Sequence, residues 1–86
     1  MTEKLHKNHT EFHGLVDARG LTCPLPLLKA KQGLKPLNNG DTLKVIATDP
    51  GSVRDFKSFA QLSPKVELML VEETDDEFIY LLKKLS

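Results

Sequence analysis

GLVDARGLTCPLPLLKAKQGLKPL, residues 14–37, changes from the pattern of a β-strand to that of an α-helix within one short loop. The apolar and β-branched run at 14–18 predicts a first strand, and Arg19-Gly20-Leu21-Thr22 predicts the turn after it. Beyond the loop, apolar residues recur at helical spacing, at Leu27, Ala30, Leu34 and Leu37. We expect Pro36 to end this helix near Lys35, because proline disfavours helical geometry in the residue before it.

A second strand and a second helix follow along the chain. Residues 42–48 are rich in β-branched side chains and predict a strand. This strand runs into Asp49-Pro50-Gly51-Ser52, which predicts a helix start with Asp49 or Ser52 as its cap. The expected buried side of the helix consists of Val53, Phe56, Phe59 and Ala60. Ser63-Pro64 is expected to end it.

The last third of the chain predicts a β-hairpin with a polar turn at 74–77. The side chains expected on its buried face are Val66, Leu68, Leu70, Phe78, Tyr80 and Leu82. The order β-α-β-α-β-β favours an α+β two-layer sandwich, a four-stranded mixed sheet with two helices on one face. The first two strands should be parallel with a right-handed crossover, and the last two antiparallel.

The composition limits the class of protein. The chain has 12 basic and 12 acidic residues, a formal net charge of zero and one cysteine, which excludes an internal disulfide and a four-cysteine zinc site. No apolar run approaches the roughly 20 residues that cross a bilayer, and the polar start is unlike a signal peptide. We therefore expect one domain over 13–86 after a flexible polar leader at 1–12, in the cytoplasm, where Cys23 stays reduced.

Three histidines lie within the first 13 residues: His6, His9 and His13. Their spacing would align them on a helix as metal ligands. Nothing else in the segment favours a helix, however, and no carboxylate is fixed beside them. We therefore predict a solvated tail and no metal site.

The charges are unevenly distributed along the chain. Residues 19–65 hold eight basic and three acidic side chains, whereas residues 66–86 hold two basic and six acidic ones. This indicates either ordinary solvated faces or a basic surface near Cys23 that meets an acidic partner. The neutral total and only five aromatic residues argue against a dedicated nucleic-acid binder, so any contact with RNA is expected to be transient.

Cys23 lies between the first strand and the first helix and is followed by Pro24 and Pro26. Proline is tolerated in the first turn of a helix, where amide hydrogens have no intrahelical partner, so these prolines fit the first and third helical positions. Cys23 would then be the N-cap, at the positive end of the helix dipole, which favours the nucleophilic thiolate. Because the prolines leave only the amides of Leu25 and Leu27 near the sulfur, we expect modest activation.

The surroundings of Cys23 restrict the chemistry that it can support. Lys29, Lys31 and, from the preceding turn, Arg19 add positive potential. A cysteine hydrolase needs a base beside the sulfur, and of the histidines only His13 is near enough in sequence; a dithiol oxidoreductase needs a second cysteine. A carrier needs only an exposed nucleophile and a docking surface. The residues therefore favour a carrier of sulfane sulfur over a small buried cysteine.

The motifs of this chain are shared with a known family. They are Asp17-Ala18-Arg19-Gly20-Leu21-Thr22-Cys23-Pro24-Leu25-Pro26-Leu27-Leu28-Lys29-Ala30, Gly40-Asp41, Ala47-Thr48-Asp49-Pro50-Gly51-Ser52 and Asp55-Phe56. Together they resemble the TusA-like (SirA-like) sulfur carrier proteins over residues 14–84. The resemblance implies the same β-α-β-α-β-β sandwich. It also implies a protein that accepts persulfide sulfur from a cysteine desulfurase or rhodanese-type donor and relays it to an acceptor protein, in one branch for 2-thiolation of the wobble uridine of tRNA.

The resemblance also implies roles for individual residues. Cys23 would carry a transient persulfide with no other cofactor, in a monomer that is a sulfurtransferase only in the sense of moving sulfur between partners. The residues that would shape the site around it are Gly20, Pro24, Pro26, Asp49 and Pro50. The expected contacts of the donor protein are Arg19, Lys29 and Lys31.

Two alternatives to a carrier stay open at this point. A small nucleic-acid-binding domain would use the basic middle segment to touch RNA. A regulatory interaction domain would leave Cys23 without a chemical role. Replacing Cys23 with serine separates them from the carrier, because only the carrier depends on the sulfur atom.

Overall fold

The computed structural model describes residues 12–86, which form six elements in the predicted order. The strands are β1 (Gly14–Ala18), β2 (Thr42–Ala47), β3 (Val66–Glu73) and β4 (Phe78–Lys84), and the helices are α1 (Leu25–Leu34) and α2 (Gly51–Leu62). Nearly all of the predicted leader, with His6 and His9, lies outside the described residues. Neither of the two helices within 12–86 is long and apolar enough to cross a lipid bilayer.

The strands form one mixed sheet in the order β1-β2-β4-β3. β1 and β2 run parallel, with Val16 opposite Val45, as expected when a helix connects them. β4 pairs antiparallel with β2 and with β3, so the last two strands form the predicted hairpin. The predicted fold class, an α+β two-layer sandwich, is confirmed.

Both helices pack on the same core as the strands. The buried apolar residues of this core are Ala18, Ala30, Leu34, Leu43, Val45, Ala47, Phe56, Val66, Tyr80 and Leu82. Around them lie partly buried side chains that include Leu27, Leu37, Val53 and Phe59. The helical spacing of apolar residues therefore identified the buried side of both helices correctly.

An aromatic pair anchors α2 on β4. The rings of Phe56 and Tyr80 stack with their centroids 4.2 Å apart and their planes 6° apart, and both side chains are fully buried. The hydroxyls of Tyr80 and Ser52 share a hydrogen bond of 2.7 Å, so that each buried polar group has a partner. Burial raises the pKa of Tyr80, which keeps this hydroxyl neutral.

The predicted cap of α2 is wrong. The N-cap is Pro50, and no side chain caps the helix. The two candidates are engaged elsewhere, because the Asp49 carboxylate accepts the N–H of Cys23 and the Ser52 hydroxyl bonds to Tyr80.

The predicted inward position of Leu70 is also wrong. A β-bulge between Leu68 and Leu70 places Met69 as an extra residue in β3 and shifts the pairing with β4. Beyond the bulge, Val71 packs against the core instead, and Leu70 is exposed. A strict alternation of side chains cannot reveal such an insertion, because a single extra residue reverses which side chains face inward.

The end of α1 agrees with the prediction. The helix ends at Leu34 with Lys35 as its C-cap, just before Pro36. The ammonium group of Lys84 donates hydrogen bonds to the carbonyls of Leu34, Lys35 and Leu37 at 3.0, 3.1 and 2.8 Å. Leu34 and Lys35 end the helix, where carbonyls lack the usual intrahelical donors, and Leu34 also accepts the N–H of Leu37 at 3.1 Å. Lys84 thus places a positive charge at the C-terminal end of α1, where the helix dipole favours it.

Gly33 permits a close approach between α1 and the sheet. A Cβ atom added at Gly33 would lie 2.7 Å from Cγ2 of Val16 and 3.3 Å from both terminal methyl carbons of Leu43. We therefore expect Gly33→Ala to lower the free energy of unfolding by about 1–3 kcal/mol through overpacking. This loss would occur although alanine favours helix by about 1 kcal/mol over glycine.

Unfolding in urea measures this effect. Gln32→Ala, at an exposed position of the same helix, is the control and should change stability by no more than about 0.5 kcal/mol. A Gly33→Ala protein as stable as the wild type would show that α1 can move away from the sheet at no cost.

Candidate functional site

Cys23 lies in the connection from β1 to α1, with its side chain exposed. Gly20 makes the turn before it, with φ of +81°, a left-handed conformation that glycine adopts without a steric penalty. The N–H of Gly20 donates to Oγ1 of Thr48 at 2.9 Å. This bond ties the loop that carries Cys23 to the residue that follows β2.

Pro24 and Pro26 lie at the start of α1, each one position earlier than predicted. Pro24 is the N-cap and Pro26 the second helical residue, so Cys23 precedes the N-cap instead of forming it. The peptide bond between Cys23 and Pro24 is cis. The N–H of Leu25 donates to the carbonyl of Thr22 at 2.8 Å, which closes a turn across these two residues before the helix begins.

Asp49 holds the backbone of Cys23. Its Oδ2 accepts the N–H of Cys23 at 2.7 Å. Asp49 and Pro50 lie in the three-residue connection from β2 to α2, and a Cβ atom added at Gly51 would lie 3.5 Å from that of Cys23. Because β1 and β2 are parallel, the loops that follow them leave the same end of the sheet, and the start of α2 comes to lie beside the cysteine.

The thiol of Cys23 donates a hydrogen bond to Oδ2 of Asp55, in the second turn of α2. This hydrogen bond, the partial loss of hydration at the sulfur and the negative charges of Asp55 and Asp49 raise the pKa of the thiol, whereas the charge of Arg54 acts against them. Cys23 is therefore a protonated thiol at neutral pH.

The predicted activation of the Cys23 thiolate is thus wrong. The amide of Leu25 was expected to face the sulfur, but it donates to Thr22 instead. The group that the sulfur does meet is the carboxylate of Asp55, which comes from the other helix. A hydrogen bond to an acidic side chain stabilises the thiol, not the thiolate.

Arg19 is paired with acidic residues. Its Nε and Nη2 donate to the two carboxylate oxygens of Asp17, each at 2.9 Å, and its Nη1 lies 3.5 Å from Oε2 of Glu77. The hydrogen bonds from Arg19 lower the pKa of Asp17 to about 2. Arg19 thus links β1 to the turn before β4, and its positive charge is shared with two carboxylates.

A groove between α1 and α2 is lined in part by Asp55, the partner of the Cys23 thiol. Its lining includes Leu27, Lys31, Asp55, Ser58, Phe59 and Leu62. The Lys31 ammonium lies 5.1 Å from the centre of the Phe59 ring, and Leu62 is 82% exposed. Lys29 is exposed on α1 as well. Because Asp55 lines the groove and contacts the thiol, a partner in this groove comes within reach of the sulfur.

His13 lies at the other end of the sheet. It precedes β1 and accepts the N–H of Thr42 on Nδ1 at 3.0 Å, and its Nε2 is 3.8 Å from the Asp41 carboxylate. Cys23 follows β1, so His13 does not act as a base on its sulfur. Among residues 12–86, no group of three or more His, Cys, Asp or Glu side chains is placed to hold a metal ion.

Asp55 is not among the predicted site residues. The sequence contained two indirect signals for it. Asp55-Phe56 is among the motifs shared with the family, and parallel strands bring the start of the second helix beside the loop that follows β1. A polar side chain in the first two turns of that helix is therefore close enough to contact Cys23. Helical spacing alone does not show which of these residues faces the sulfur.

The fold and the site together define a small α+β domain that presents one surface thiol between the starts of two helices. Comparison with known proteins identifies the family to which this domain belongs. The sulfurtransferase TusA family matches residues 15–84. The chain therefore belongs to the TusA family of sulfur carriers, and the resemblance seen in its motifs is confirmed.

Individual relatives agree with this assignment. The sulfur carrier protein TusA of Allochromatium vinosum is 49% identical over 74 residues, which cover 86% of this chain and 96% of the relative. The sulfur carrier protein TusA of Pseudomonas fluorescens is 36% identical over 81 residues, which cover 94% and 96%. The crystal structure of a SirA-like protein from Desulfitobacterium hafniense has a TM-score of 0.63 at 24% identity and covers 84% of this chain and 96% of that one, which shows the shared fold.

The raised pKa of Cys23 predicts slow alkylation at neutral pH. Only the thiolate reacts with iodoacetamide, so the rate should rise with pH to a midpoint above that of a cysteine in an unfolded chain. Rates measured from about pH 6 to about pH 11 give this midpoint. The same protein unfolded in urea is the control. A midpoint lower in the folded protein than in the unfolded one would mean that the helix dipoles outweigh Asp55.

Proposed function

We propose that Cys23 carries sulfur as a persulfide between a donor and an acceptor protein. The donor is a cysteine desulfurase or a rhodanese-type sulfurtransferase. The observation that supports this most directly is the exposed thiol of the chain's one cysteine, in a family of sulfur carriers. Because the sequence holds no second cysteine, no other thiol of the chain can attack a persulfide on Cys23, and its outer sulfur passes only to a thiol of another molecule.

The transfer requires no oxidant or reductant from outside. The sulfur of Cys23 attacks the outer sulfur of the donor's cysteine persulfide, and the S–S bond of the donor breaks. Its electron pair stays on the donor's cysteine sulfur, which takes up the proton that Cys23 loses. Delivery repeats the same exchange, with Cys23 as the donor and a thiol of the acceptor as the nucleophile. The carrier therefore needs no resident cofactor.

The residues around Cys23 are assigned the role of presenting the sulfur in one position. Pro24 and Pro26 restrict the backbone at the start of α1. The N–H of Gly20 bonds to Thr48 and so ties the loop to the end of β2. The carboxylate of Asp49, which precedes Pro50, accepts the N–H of Cys23. A sulfur on a stiff loop has less conformational freedom to lose when a donor binds, which favours transfer in short-lived complexes.

The donor is proposed to bind along α1 and the groove beside it. Lys29 and Lys31 are exposed there and favour an acidic surface on the partner. Arg19 contributes less to docking, because its guanidinium is already engaged by Asp17 and Glu77. In this proposal the free carrier is a cytoplasmic monomer whose relay ends in 2-thiolation of the wobble uridine of tRNA. Its main partners are the donor and acceptor proteins, and any contact with tRNA is transient.

Loading of Cys23 can be observed by intact mass spectrometry. Incubation with a cysteine desulfurase and cysteine should add the mass of one sulfur atom, and dithiothreitol should remove it. Cys23→Ser, which lacks the nucleophilic sulfur, should stay unmodified under the same conditions. Wild-type protein of unchanged mass after incubation with several desulfurases and a rhodanese would contradict the proposed function.

Charge reversal tests the docking surface. Lys29→Glu combined with Lys31→Glu should weaken binding to the desulfurase by about tenfold at low salt, since two attractive contacts become repulsive. Calorimetric titration gives the affinity, and circular dichroism checks the fold. The control combines Lys44→Glu with Lys57→Glu, two lysines outside the groove lining. Equal losses in both double variants would show that overall charge, not this surface, determines binding.

A further inference from the structure

Asp55 contacts the reacting atom from outside the loop that carries it. Its Oδ2 accepts the thiol hydrogen bond of Cys23, yet it belongs to α2, whereas Cys23 leads into α1. The next residue, Phe56, is fully buried and stacked on Tyr80. The acidic group is thereby held at the sulfur by the core of the protein and not by a flexible surface segment.

We propose that Asp55 biases the carrier toward giving up its sulfur: it stabilises the empty thiol of Cys23 and destabilises the loaded persulfide. This inference rests on the proposed function, because it concerns the balance between the loaded and the empty form of Cys23.

In the empty carrier, the thiol proton is shared with an acidic side chain. A hydrogen bond to a charged acceptor is stronger than one between neutral groups, so the contact with Asp55 stabilises the protonated state. The protonated thiol reacts slowly with oxidants and alkylating agents, because these attack the thiolate. The empty carrier is thus protected between rounds of transfer.

Loading the sulfur removes this contact. The inner sulfur of a persulfide has no proton to donate, so the hydrogen bond to Asp55 is lost. A persulfide is also more acidic than a thiol, and its anion adds negative charge next to Asp55 and Asp49. The positive charge of Arg54, which precedes Asp55 in α2, offsets part of this repulsion. The lost hydrogen bond and the added negative charge both raise the free energy of the loaded form relative to the empty one.

Exchange with glutathione measures this bias without any protein partner. The outer sulfur of the Cys23 persulfide passes to the glutathione sulfur; the S–S bond on Cys23 breaks, and Cys23 keeps the electron pair and takes up the proton that glutathione loses. The protein is loaded with inorganic polysulfide, freed of excess reagent and equilibrated with glutathione. Intact mass spectrometry then gives the ratio of loaded to empty carrier.

Asp55→Asn keeps the shape of the side chain and removes its charge. The ratio of loaded to empty carrier should increase by at least about fivefold, as expected when one charge close to the sulfur is removed. The alkylation midpoint of the empty form should fall in the same variant. Glu67→Gln, at an exposed position near the other end of the sheet, removes the same charge and should change the ratio by less than about twofold.

Several results would overturn the inference. These are an unchanged ratio in Asp55→Asn, an equal increase in Glu67→Gln, or a wild-type thiol that polysulfide does not load. A lowered alkylation midpoint with an unchanged ratio also counts against it, because Asp55 would then act on the empty form alone. Failure of desulfurases and rhodaneses to load the wild type contradicts the proposed function instead, and the exchange with glutathione still decides the role of Asp55.

Discussion

The stacking of Phe56 on Tyr80 is the contact on which the site depends. It fixes α2 against β4, and the hydrogen bond between Ser52 and the same tyrosine restricts the rotation of the helix. Of the two carboxylates that contact Cys23, Asp49 lies just before this anchored segment and Asp55 lies within it. The chemistry of an exposed sulfur is thus determined by the packing of the buried core.

Those parts of the structure that follow from local spacing could be predicted. Apolar residues three and four apart identified the faces of both helices, and alternation identified Tyr80 and Leu82 as inward-facing. Pro24 and Pro26 located the start of α1 to within one residue, because proline is acceptable in few helical positions. Even the exposed position of Cys23 followed from its place between a strand and a proline-bounded helix.

The parts that depend on contacts between distant segments could not be predicted. The contact between Cys23 and Asp55 joins the loop before α1 to α2. Without it the sign of the pKa change was wrong, because the helix dipole alone favours the thiolate. Lys84 binds the last carbonyls of α1 from β4, and nothing in the sequence around Lys84 indicates this contact. The bulge at Met69 depends on pairing between strands, which a periodic pattern does not record.

This bulge also protects an edge of the sheet. β3 is an outer strand, and its free backbone groups are a template on which another chain could add a strand. The extra residue breaks the regular ladder in the middle of β3, and the glutamates Glu67, Glu72 and Glu73 repel a second copy of the same edge. The opposite edge, β1, is only five residues long. Both edges of the sheet are therefore poor templates for the addition of a strand from another chain.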